Sequence, residues 1–431
     1  MSKKPPVWVV DPEERSRRLA RLRVLKMARS PHAYVRGSTQ SFYAWVAERG
    51  IAVPEGPPVW ICGDCHSGNL GPIASADGEV DIAIRDFDQT VVGNPAWDLL
   101  RLILSLASAL RSMDLAGVTT VRMIESACAG YAAGLTRPRA DFDAPSACRP
   151  VMRAAARRAW AAVARDRLKG VRPAFPLGKD FWPLTEDEGS ALHTLLSGEE
   201  GRRRLVEVLN LPPEHATPVL LDAAYWVKGC SSLGLVRCAA LVAVDEAAEA
   251  AMRSLMRERK ARAGRFAEYV AGYWASGAIR LVDLKQAVQA VAPAGLTDAH
   301  PDDEAERVRA GARTLSPALG ERMATGRMGG RSVFVRELLP QDLKLELRTL
   351  TEAQAVQLAA GLARIVGRSH GRQLDAAHRK SWAKAVTTSK SKSLDAPSWT
   401  WIAVRDLMAV HEAAYLDHCR RYALGNGVRE R

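Results

Sequence analysis

Two apolar patterns divide this chain into predicted helices and predicted strands. Apolar residues recur at helical spacing over 96–113, 351–373 and 398–424, which predicts helices with at least one buried face. Shorter apolar runs over 219–227 and 235–244 flank a glycine-bearing stretch and predict two strands joined by a tight turn. The coexistence of both patterns predicts an α+β fold.

Two further apolar runs lead into clusters of polar residues. The runs 59–61 and 82–84 are short and apolar, which predicts buried strands that end in loops. The polar residues that follow these runs are Asp64, His66, Asn69, Asp86 and Asp88. Loops held by rigid strands are frequent places for catalytic groups, so we expect the chemistry of the protein in these two loops.

The residue types in these loops suit phosphoryl transfer from a magnesium nucleotide. That reaction needs an acceptor hydroxyl oriented by a carboxylate, and metal-bridged phosphates held by Asp and Asn oxygens. Asp64 is the predicted base or hydroxyl-orienting residue, and Asn69 and Asp86 are the predicted Mg²⁺ ligands. Asp88 is placed to help bind a second metal ion. His66 is predicted to orient the loop or to contact a phosphate, and packing of the loop is the alternative.

Three motifs in this region carry a resemblance to known enzymes. Gly-Asp-Cys-His-Ser-Gly-Asn at 63–69, with 86–88 and 95–99, resembles the catalytic loop, metal-binding Asp and following helix start of aminoglycoside phosphotransferases and other kinase-like enzymes. With 30–37 upstream, the chain is more closely similar to the bacterial family called domain of unknown function 2252. That similarity also covers 228–234, 307–313 and 334–338. Asp98 is placed to cap helix amides and, by resemblance, to brace the catalytic loop.

The order of the motifs differs from that of an ordinary kinase, in which the glycine-rich loop and its lysine precede the catalytic loop. The resemblance therefore implies a two-lobed, protein-kinase-like fold that is circularly permuted, with a large helical lobe and a small antiparallel-sheet nucleotide lobe. Permutation is physically tolerable when chain termini lie close together at a surface. We expect a helical catalytic lobe over 1–218, a β-rich nucleotide lobe over 219–345, and C-terminal helices over 346–431 that pack back on the catalytic lobe.

The predicted turn after 219–227 is the candidate phosphate-binding loop. It contains Gly229, Ser231, Ser232 and Gly234, and glycine permits close backbone approach while serine adds hydrogen-bond donors. An ordinary β-turn is the alternative interpretation.

Two later strands complete the predicted nucleotide site. Lys285 ends the predicted strand 278–285, and by resemblance it pairs the α- and β-phosphates of ATP. A solvated lysine at a strand end is the alternative. The candidates for its carboxylate partner are Asp303, Glu304 and Glu306. The strand 331–339 resembles the segment that connects two kinase lobes, so Glu337 and Leu338 are predicted to bracket the adenine edge.

Charge allows a second class of function. The chain of 431 residues has ordinary globular composition but a net charge of +13, which invites a nucleic-acid interpretation. Much of the charge lies in helical segments with interleaved acids, and no DNA-binding module is recognisable. Solvated helix faces explain most of it, while a basic cleft would suit ATP and an anionic acceptor equally.

Cysteine usage and hydropathy favour a cytoplasmic protein that does not enter a membrane. The seven cysteines are an odd number and form no evident disulfide framework. Cys62 and Cys65 form a C-x-x-C pair without a second pair for zinc, so we interpret both thiols as packing residues. The first residues lack a signal-peptide core, and no apolar run approaches the roughly 20 residues of a membrane helix.

The sequence therefore predicts an enzyme that uses ATP and Mg²⁺ to phosphorylate a hydroxyl of a small molecule. A nucleotide-binding regulatory pseudokinase and a kinase-like enzyme that acts on protein or transfers AMP are the nearest alternatives. A basic nucleic-acid-binding protein without a catalytic site is a more distant one. The pattern predicts neither the acceptor nor the oligomeric state.

Overall fold

A computed structural model describes most of the chain. The described residues are 11–48, 53–75, 77–111, 113, 115–141, 143–168, 174–213, 216–250, 270–293, 300–345, 350–388 and 398–422. The main helices are α1 (Pro12–Met27), α2 (Pro31–Gly37), α3 (Thr39–Glu48), α4 (Pro95–Arg111), α5 (Gly117–Thr136), α6 (Arg149–Ala156), α7 (Trp160–Leu168), α8 (Glu186–Leu196), α9 (Gly198–Val208), α10 (Glu304–Leu315), α11 (Pro317–Gly320), α12 (Glu352–Gly371), α13 (Ala376–Thr387) and α14 (Ser398–Tyr422). The strands are β1 (Val59–Ile61), β2 (Leu70–Ala74), β3 (Val80–Ile84), β4 (Val91–Gly93), β5 (Phe181–Trp182), β6 (Val219–Trp226), β7 (Arg237–Ala243), β8 (Ile279–Gln286), β9 (Met323–Met328) and β10 (Arg331–Glu337). The predicted α+β class is confirmed.

The largest sheet contains six antiparallel strands in the order β5-β6-β7-β8-β10-β9. Side chains alternate between the two faces of a strand, so Leu281, Asp283 and Lys285 share one face of β8. Arg237 lies opposite Lys285, and Arg336 lies opposite Asp283. This face is therefore apolar near the start of β8 and charged near its end.

Both faces of the sheet are covered by helices that precede β6 in the chain. Helix α7 packs with apolar residues of β6, β7 and β8 on one face, and α8 and α9 pack on the other. The short strand β5 pairs with β6 at the sheet edge. Helices from 160–208 thus cover the sheet, because a sheet with two apolar faces must be covered on both sides. The lobe bounds 1–218, 219–345 and 346–431 stay a prediction.

The helical core contains α3, α4, α5 and α12, together with two small antiparallel ladders, β1 with β4 and β2 with β3. Helices α5 and α12 approach closely because each has a glycine where the backbone of the other helix leaves no room for a side chain. A Cβ on Gly130 would lie 2.1 Å from the carbonyl oxygen of Ala360, and one on Gly367 would lie 2.1 Å from that of Tyr131. This close approach brings the Tyr131 ring to 5.7 Å from the His370 ring.

A helix that crosses a bilayer needs about 20 predominantly apolar residues. None of the described helices combines the necessary length with sufficient apolar character.

Candidate functional site

The Asp64 loop (residues 62–69) follows β1 and is held in place by the buried carboxylate of Asp98. The amide of Cys62 donates to Asp98 Oδ2 at 2.7 Å, and the amide of Gly63 donates to Asp98 Oδ1 at 2.9 Å. The first turn of α4 is capped by another residue, since the Ala96 amide donates to Asn94 Oδ1 at 3.0 Å. Asp98 therefore braces the loop, as the resemblance implied, and Asn94 caps the helix.

A chain of buried side chains fixes Asp98 in turn. The indole of Trp382 donates to the Tyr131 hydroxyl at 3.1 Å, and that hydroxyl lies 2.8 Å from His370 Nδ1. His370 Nε2 lies 3.2 Å from Asp98 Oδ2. Because the Tyr131 oxygen accepts from Trp382, its own proton can donate to Nδ1, which leaves the imidazole proton on Nε2 to donate to Asp98. Helices α5, α12 and α13 thereby support the Asp64 loop.

Replacing Asp98 with Asn is expected to destabilise the protein by about 1.5–3 kcal/mol. The substitution removes the charge and directs an NH₂ group towards donors that now meet a carboxylate oxygen. Urea unfolding measures the effect through the midpoint and the slope. Asp187→Asn, at an exposed acid in the first turn of α8, is the matched control and should cost less than about 1 kcal/mol. Equal losses in both variants would contradict the bracing role.

Asp64 is buried in the loop and anchored through one carboxylate oxygen. Arg101 Nε donates to Asp64 Oδ1 at 2.8 Å, and Asn69 Nδ2 donates to the Asp64 carbonyl at 3.0 Å. Burial raises the pKa of Asp64, and the Arg101 guanidinium opposes that rise. The side chain of Asn69, a predicted metal ligand, is thus hydrogen-bonded to the backbone of Asp64, the predicted base.

His66 is buried within the loop and helps to orient it. Its Nδ1 accepts from the Gly68 amide at 3.1 Å, and its Nε2 lies 3.9 Å from Asp64 Oδ2. Burial, reinforced by the charge of Arg36, lowers the pKa of His66 well below its ordinary value. A neutral imidazole that accepts at Nδ1 carries its proton on Nε2, so His66 is a hydrogen-bond donor at neutral pH.

The Asp86 loop (residues 85–90) follows β3 and pairs with the lysine of β8. The buried Lys285 ammonium contacts Asp88 Oδ2 and lies 3.6 Å from Asp86 Oδ1. The expected partner acids of α10 are engaged elsewhere: Asp303 caps α10, and Glu306 accepts from a hydroxyl of β9. Lys285 is therefore neither solvated nor paired with a helix carboxylate, because β8 ends directly at the Asp86 loop.

Arg307 holds the Asp86 loop from the other side. Its guanidinium donates to the carbonyls of Thr90, Asp88 and Val288, at 3.1 Å for Asp88 and 2.9 Å for Val288. Glu304, the third candidate partner of Lys285, accepts from Arg307 Nε at 2.7 Å instead. The motif at 307–313 thus positions the predicted metal-binding loop.

The two carboxylates of this loop differ in their electrostatics. Burial raises the pKa of Asp86, but the charges of Lys285 and Arg336 outweigh it and hold that pKa below the ordinary value. Burial and the charge of Asp86 raise the pKa of Asp88 to about 6. Asp88 Oδ1 is buried and has no hydrogen-bond partner among the described residues. An unpartnered carboxylate oxygen beside an ionised carboxylate is a donor set that fits Mg²⁺.

A cavity of about 430 Å³ lies between the Asp64 loop and the β6–β7 turn (residues 227–236). The predicted site residues that line it are His66, Asn69, Asp86, Gly229, Ser231 and Ser232. The basic residues that line it are Lys26, Arg29, Arg36, Lys228, Arg237 and Lys344. Among its described lining residues, Asp86 alone is acidic. The structure thus brings residues from distant chain segments around one basic cavity.

Other predicted site residues lie outside the lining of this cavity. They are Asp64, Asp88, Gly234, Lys285, Glu337 and Leu338. The Glu337 carboxylate is buried 3.2 Å from Arg280 Nη1, and burial raises its pKa to about 7. The Leu338 amide donates to the Leu281 carbonyl at 2.9 Å. An adenine contact at these two residues stays a prediction.

The β6–β7 turn lines the cavity with Gly229, Cys230, Ser231 and Ser232. Gly229 and Gly234 have φ values of 94° and 105°, in the left-handed region that favours glycine. The amides of Cys230, Ser231 and Ser232 donate to no backbone carbonyl of a described residue. Consecutive unengaged amides in a turn form a concavity suited to phosphate oxygens.

The basic lining is the part of the site that sequence reasoning missed. Arg36 belongs to the motif at 30–37, and Lys228 immediately precedes the glycine turn, so both carried a signal through position. No motif marked the other three basic residues as part of a site, because they lie at a helix end or in loops. They are Lys26, Arg29 and Lys344.

Cys62, Cys65 and Asp98 also place potential metal ligands within 4.8 Å of one another. Both carboxylate oxygens of Asp98 already accept backbone amides. The hydrogen bond between the thiols and their burial raise the pKa of Cys62, which disfavours the thiolate that zinc requires. With three donors, one of them engaged, the group does not fit a tetrahedral zinc site.

Comparison with known proteins gave one family match. A family model described as an uncharacterized protein conserved in bacteria (DUF2252) matches residues 15–278 and 275–421. These segments include the Asp64 loop, the β6–β7 turn and Lys285. No curated protein matches the chain. No solved structure matches it either.

Proposed function

We propose a function for this chain, which belongs to the DUF2252 family of bacterial proteins: Mg²⁺-dependent transfer of a phosphoryl group from ATP to a hydroxyl of a small molecule. One observation carries the proposal. Asn69 and Asp86 share a cavity with the unengaged amides of the β6–β7 turn, and Asn69 is hydrogen-bonded to Asp64. A base, metal ligands and phosphate donors are the parts that this reaction needs.

The proposal includes a kinase-like architecture with permuted motif order. It is supported by the helical core that carries the Asp64 loop and by the antiparallel sheet that carries the glycine turn and Lys285. The two parts face one another across the cavity, and the sheet follows the Asp64 loop in the chain. The glycine turn shares the cavity with Asn69 and Asp86, although it follows them in the chain and does not precede them.

The residues divide the chemistry as follows. Asp64 orients the acceptor hydroxyl and takes its proton as the oxygen bonds to the γ-phosphorus and the bond to the β-phosphate oxygen breaks. Asn69 and Asp86, with Asp88 Oδ1 beside them, would hold Mg²⁺, which supplies neutralisation of phosphate charge. The amides of Ser231 and Ser232 would hold phosphate oxygens. Lys285 fixes the Asp86 loop and adds positive charge behind it.

A regulatory pseudokinase is the second candidate, and one observation favours it. Lys285 is paired with Asp88 and Asp86, the same acids that would bind metal, and not with a separate carboxylate. Such a protein would bind nucleotide and turn over little or none. ADP release with an acceptor separates the two functions, and AMP as product would instead indicate nucleotidyl transfer.

Calorimetric titration of the full chain with ATP is the first test. We expect Mg²⁺ to strengthen ATP binding by about tenfold or more, or roughly 1.4 kcal/mol, because the acidic pair accepts the metal between protein and phosphates. AMP is the matched control, since it lacks the phosphates that the metal bridges and should show no such gain. Absence of ATP binding to the folded protein in either condition would refute the proposed site.

A further inference from the structure

We propose that the acceptor is itself an anion, a hydroxyl compound that carries a phosphate monoester, held beside the Asp64 loop by Arg36 with Arg29 and Lys344. This inference rests on the proposed phosphotransferase function and names its substrate class.

Most of the charged residues that line the cavity are basic. Arg237 is neutralised internally, because its guanidinium donates to Asp283 at 2.9 and 2.5 Å. Asp86, the acidic residue of the described lining, faces Lys285. The remaining cations form no ion pair with any described residue, and they are Lys26, Arg29, Arg36, Lys228 and Lys344. The cavity therefore carries uncompensated positive charge.

Part of this positive charge lies in a buried environment. Arg36 Nε is buried and has no hydrogen-bond partner among the described residues. Burial, followed by the charge of Arg36, lowers the pKa of Lys344, and burial lowers the pKa of Lys26. Unpaired cations that are partly desolvated and repel one another destabilise a fold unless an anion binds among them.

Mg-ATP alone does not balance the positive charge of these basic residues. ATP carries roughly two net negative charges once one Mg²⁺ has neutralised part of it. Burial lowers the pKa of Lys228 well below its ordinary value, so Lys228 is left out of the count. The four other unpaired basic residues still exceed the charge of Mg-ATP, so the cavity retains positive charge after Mg-ATP binds. The remainder suits a second anion.

Arg36 lies against the Asp64 loop. A Cβ built on Gly68 would lie 2.6 Å from Arg36 Nη2, so the guanidinium rests directly on the Asp64 loop. Asp64 orients the acceptor in the proposed reaction, whereas the amides of Ser231 and Ser232 serve the ATP phosphates. Arg36 is therefore on the acceptor side of the site.

The basic residues around this space favour a phosphate group over a carboxylate. The basic residues of this part of the lining come from three segments: Arg29 from the link between α1 and α2, Arg36 from α2, and Lys344 from the segment after β10. A tetrahedral dianion can accept from several such donors at once, whereas a single carboxylate presents two oxygens in one plane. A phosphate monoester is the acceptor group that matches this arrangement.

Binding of inorganic phosphate to the full chain, saturated with Mg²⁺ and a non-hydrolysable ATP analogue, tests the subsite. We expect phosphate to bind the nucleotide-loaded protein, and Arg36→Gln to weaken phosphate binding about tenfold or more while analogue binding changes little. Arg36→Lys should recover part of the affinity, which excludes a folding defect as the cause. Arg21→Gln, on an exposed position of α1, is the matched control and should change neither affinity.

Turnover then tests the substrate class. ADP release is measured with sugars and polyols, each paired with its own phosphate monoester, and only the monoesters should stimulate it. Stimulation by the neutral members alone would overturn the proposal, as would an Arg36→Gln variant that loses ATP-analogue and phosphate affinity equally. Failure of Mg-ATP to bind the wild type would instead refute the phosphotransferase function, independently of phosphate binding to the nucleotide-free protein.

Discussion

Replacing Asp64 with Asn is expected to slow phosphoryl transfer by about 10²–10⁴-fold and to leave Mg-ATP binding nearly unchanged. The amide retains the shape of the side chain and can still accept from Arg101 Nε, now 2.8 Å from Oδ1. It cannot take the proton of an acceptor hydroxyl. The Asn69 bond to residue 64 uses the backbone carbonyl and survives the change. ADP release at saturating Mg-ATP measures the rate, and calorimetry measures the binding.

Asn is preferred to Ala at this position because of the buried arginine. Asp64→Ala would leave the Arg101 charge without its partner, and breaking a buried pair in this way costs about 3–5 kcal/mol. Asp81→Asn is the matched control, since Asp81 is exposed on β3 and pairs with Arg368 outside the cavity. An unchanged rate in Asp64→Asn would remove Asp64 from the chemistry. Loss of ATP binding in the same variant would mean that the residue shapes the site and does not act as its base.

Local pattern was sufficient to predict the elements that carry the site. The runs before Asp64 and Asp86 are short apolar strands, and β6 and β7 flank the predicted glycine turn. Each of these features depends on residues that are neighbours in the sequence, so alternation and turn chemistry reveal them. The strand β5 escaped prediction because two residues, Phe181 and Trp182, are too few to establish a period.

Contacts between distant segments were not predictable in the same way. Lys285 meets Asp88 across 197 positions of the chain, and His370 meets Asp98 across 272. The periodicity of a strand or helix determines which face a residue occupies, but not which loop from elsewhere meets that face. The expected partners of Lys285 were therefore sought in the nearby helix α10 and were wrong. The basic lining residue Lys344 was missed for the same reason.

The same limit explains why two roles of Asp98 could not be separated from sequence. An acid in the first turn of a helix ordinarily caps or complements that helix. Only the folded chain shows that Asn94 supplies the cap, which leaves both Asp98 oxygens for the amides of Cys62 and Gly63.

Replacing Asp86 with Asn is expected to abolish the gain in ATP affinity that Mg²⁺ provides, a loss of about tenfold or more. An amide is a poor ligand for a hard cation compared with a carboxylate, and Asp86 is the acid of the described cavity lining. The fold should persist, because Asp88 still contacts the Lys285 ammonium. Calorimetry with ATP, with and without Mg²⁺, measures both affinities.

ATP binding without Mg²⁺ distinguishes a metal ligand from a merely repelling charge at position 86. Asp86 repels the phosphates of ATP when no metal lies between them, so Asp86→Asn should bind metal-free ATP as tightly as the wild type or more tightly. If Asp86 acted only as a repelling charge, the variant would bind ATP more tightly in both conditions and the Mg²⁺ gain would persist. Loss of ATP affinity with Mg²⁺, combined with no loss without it, is expected of a metal ligand and not of a merely repelling charge. Asp303→Asn, at the cap of α10 outside the cavity, serves as the control and should leave both affinities unchanged.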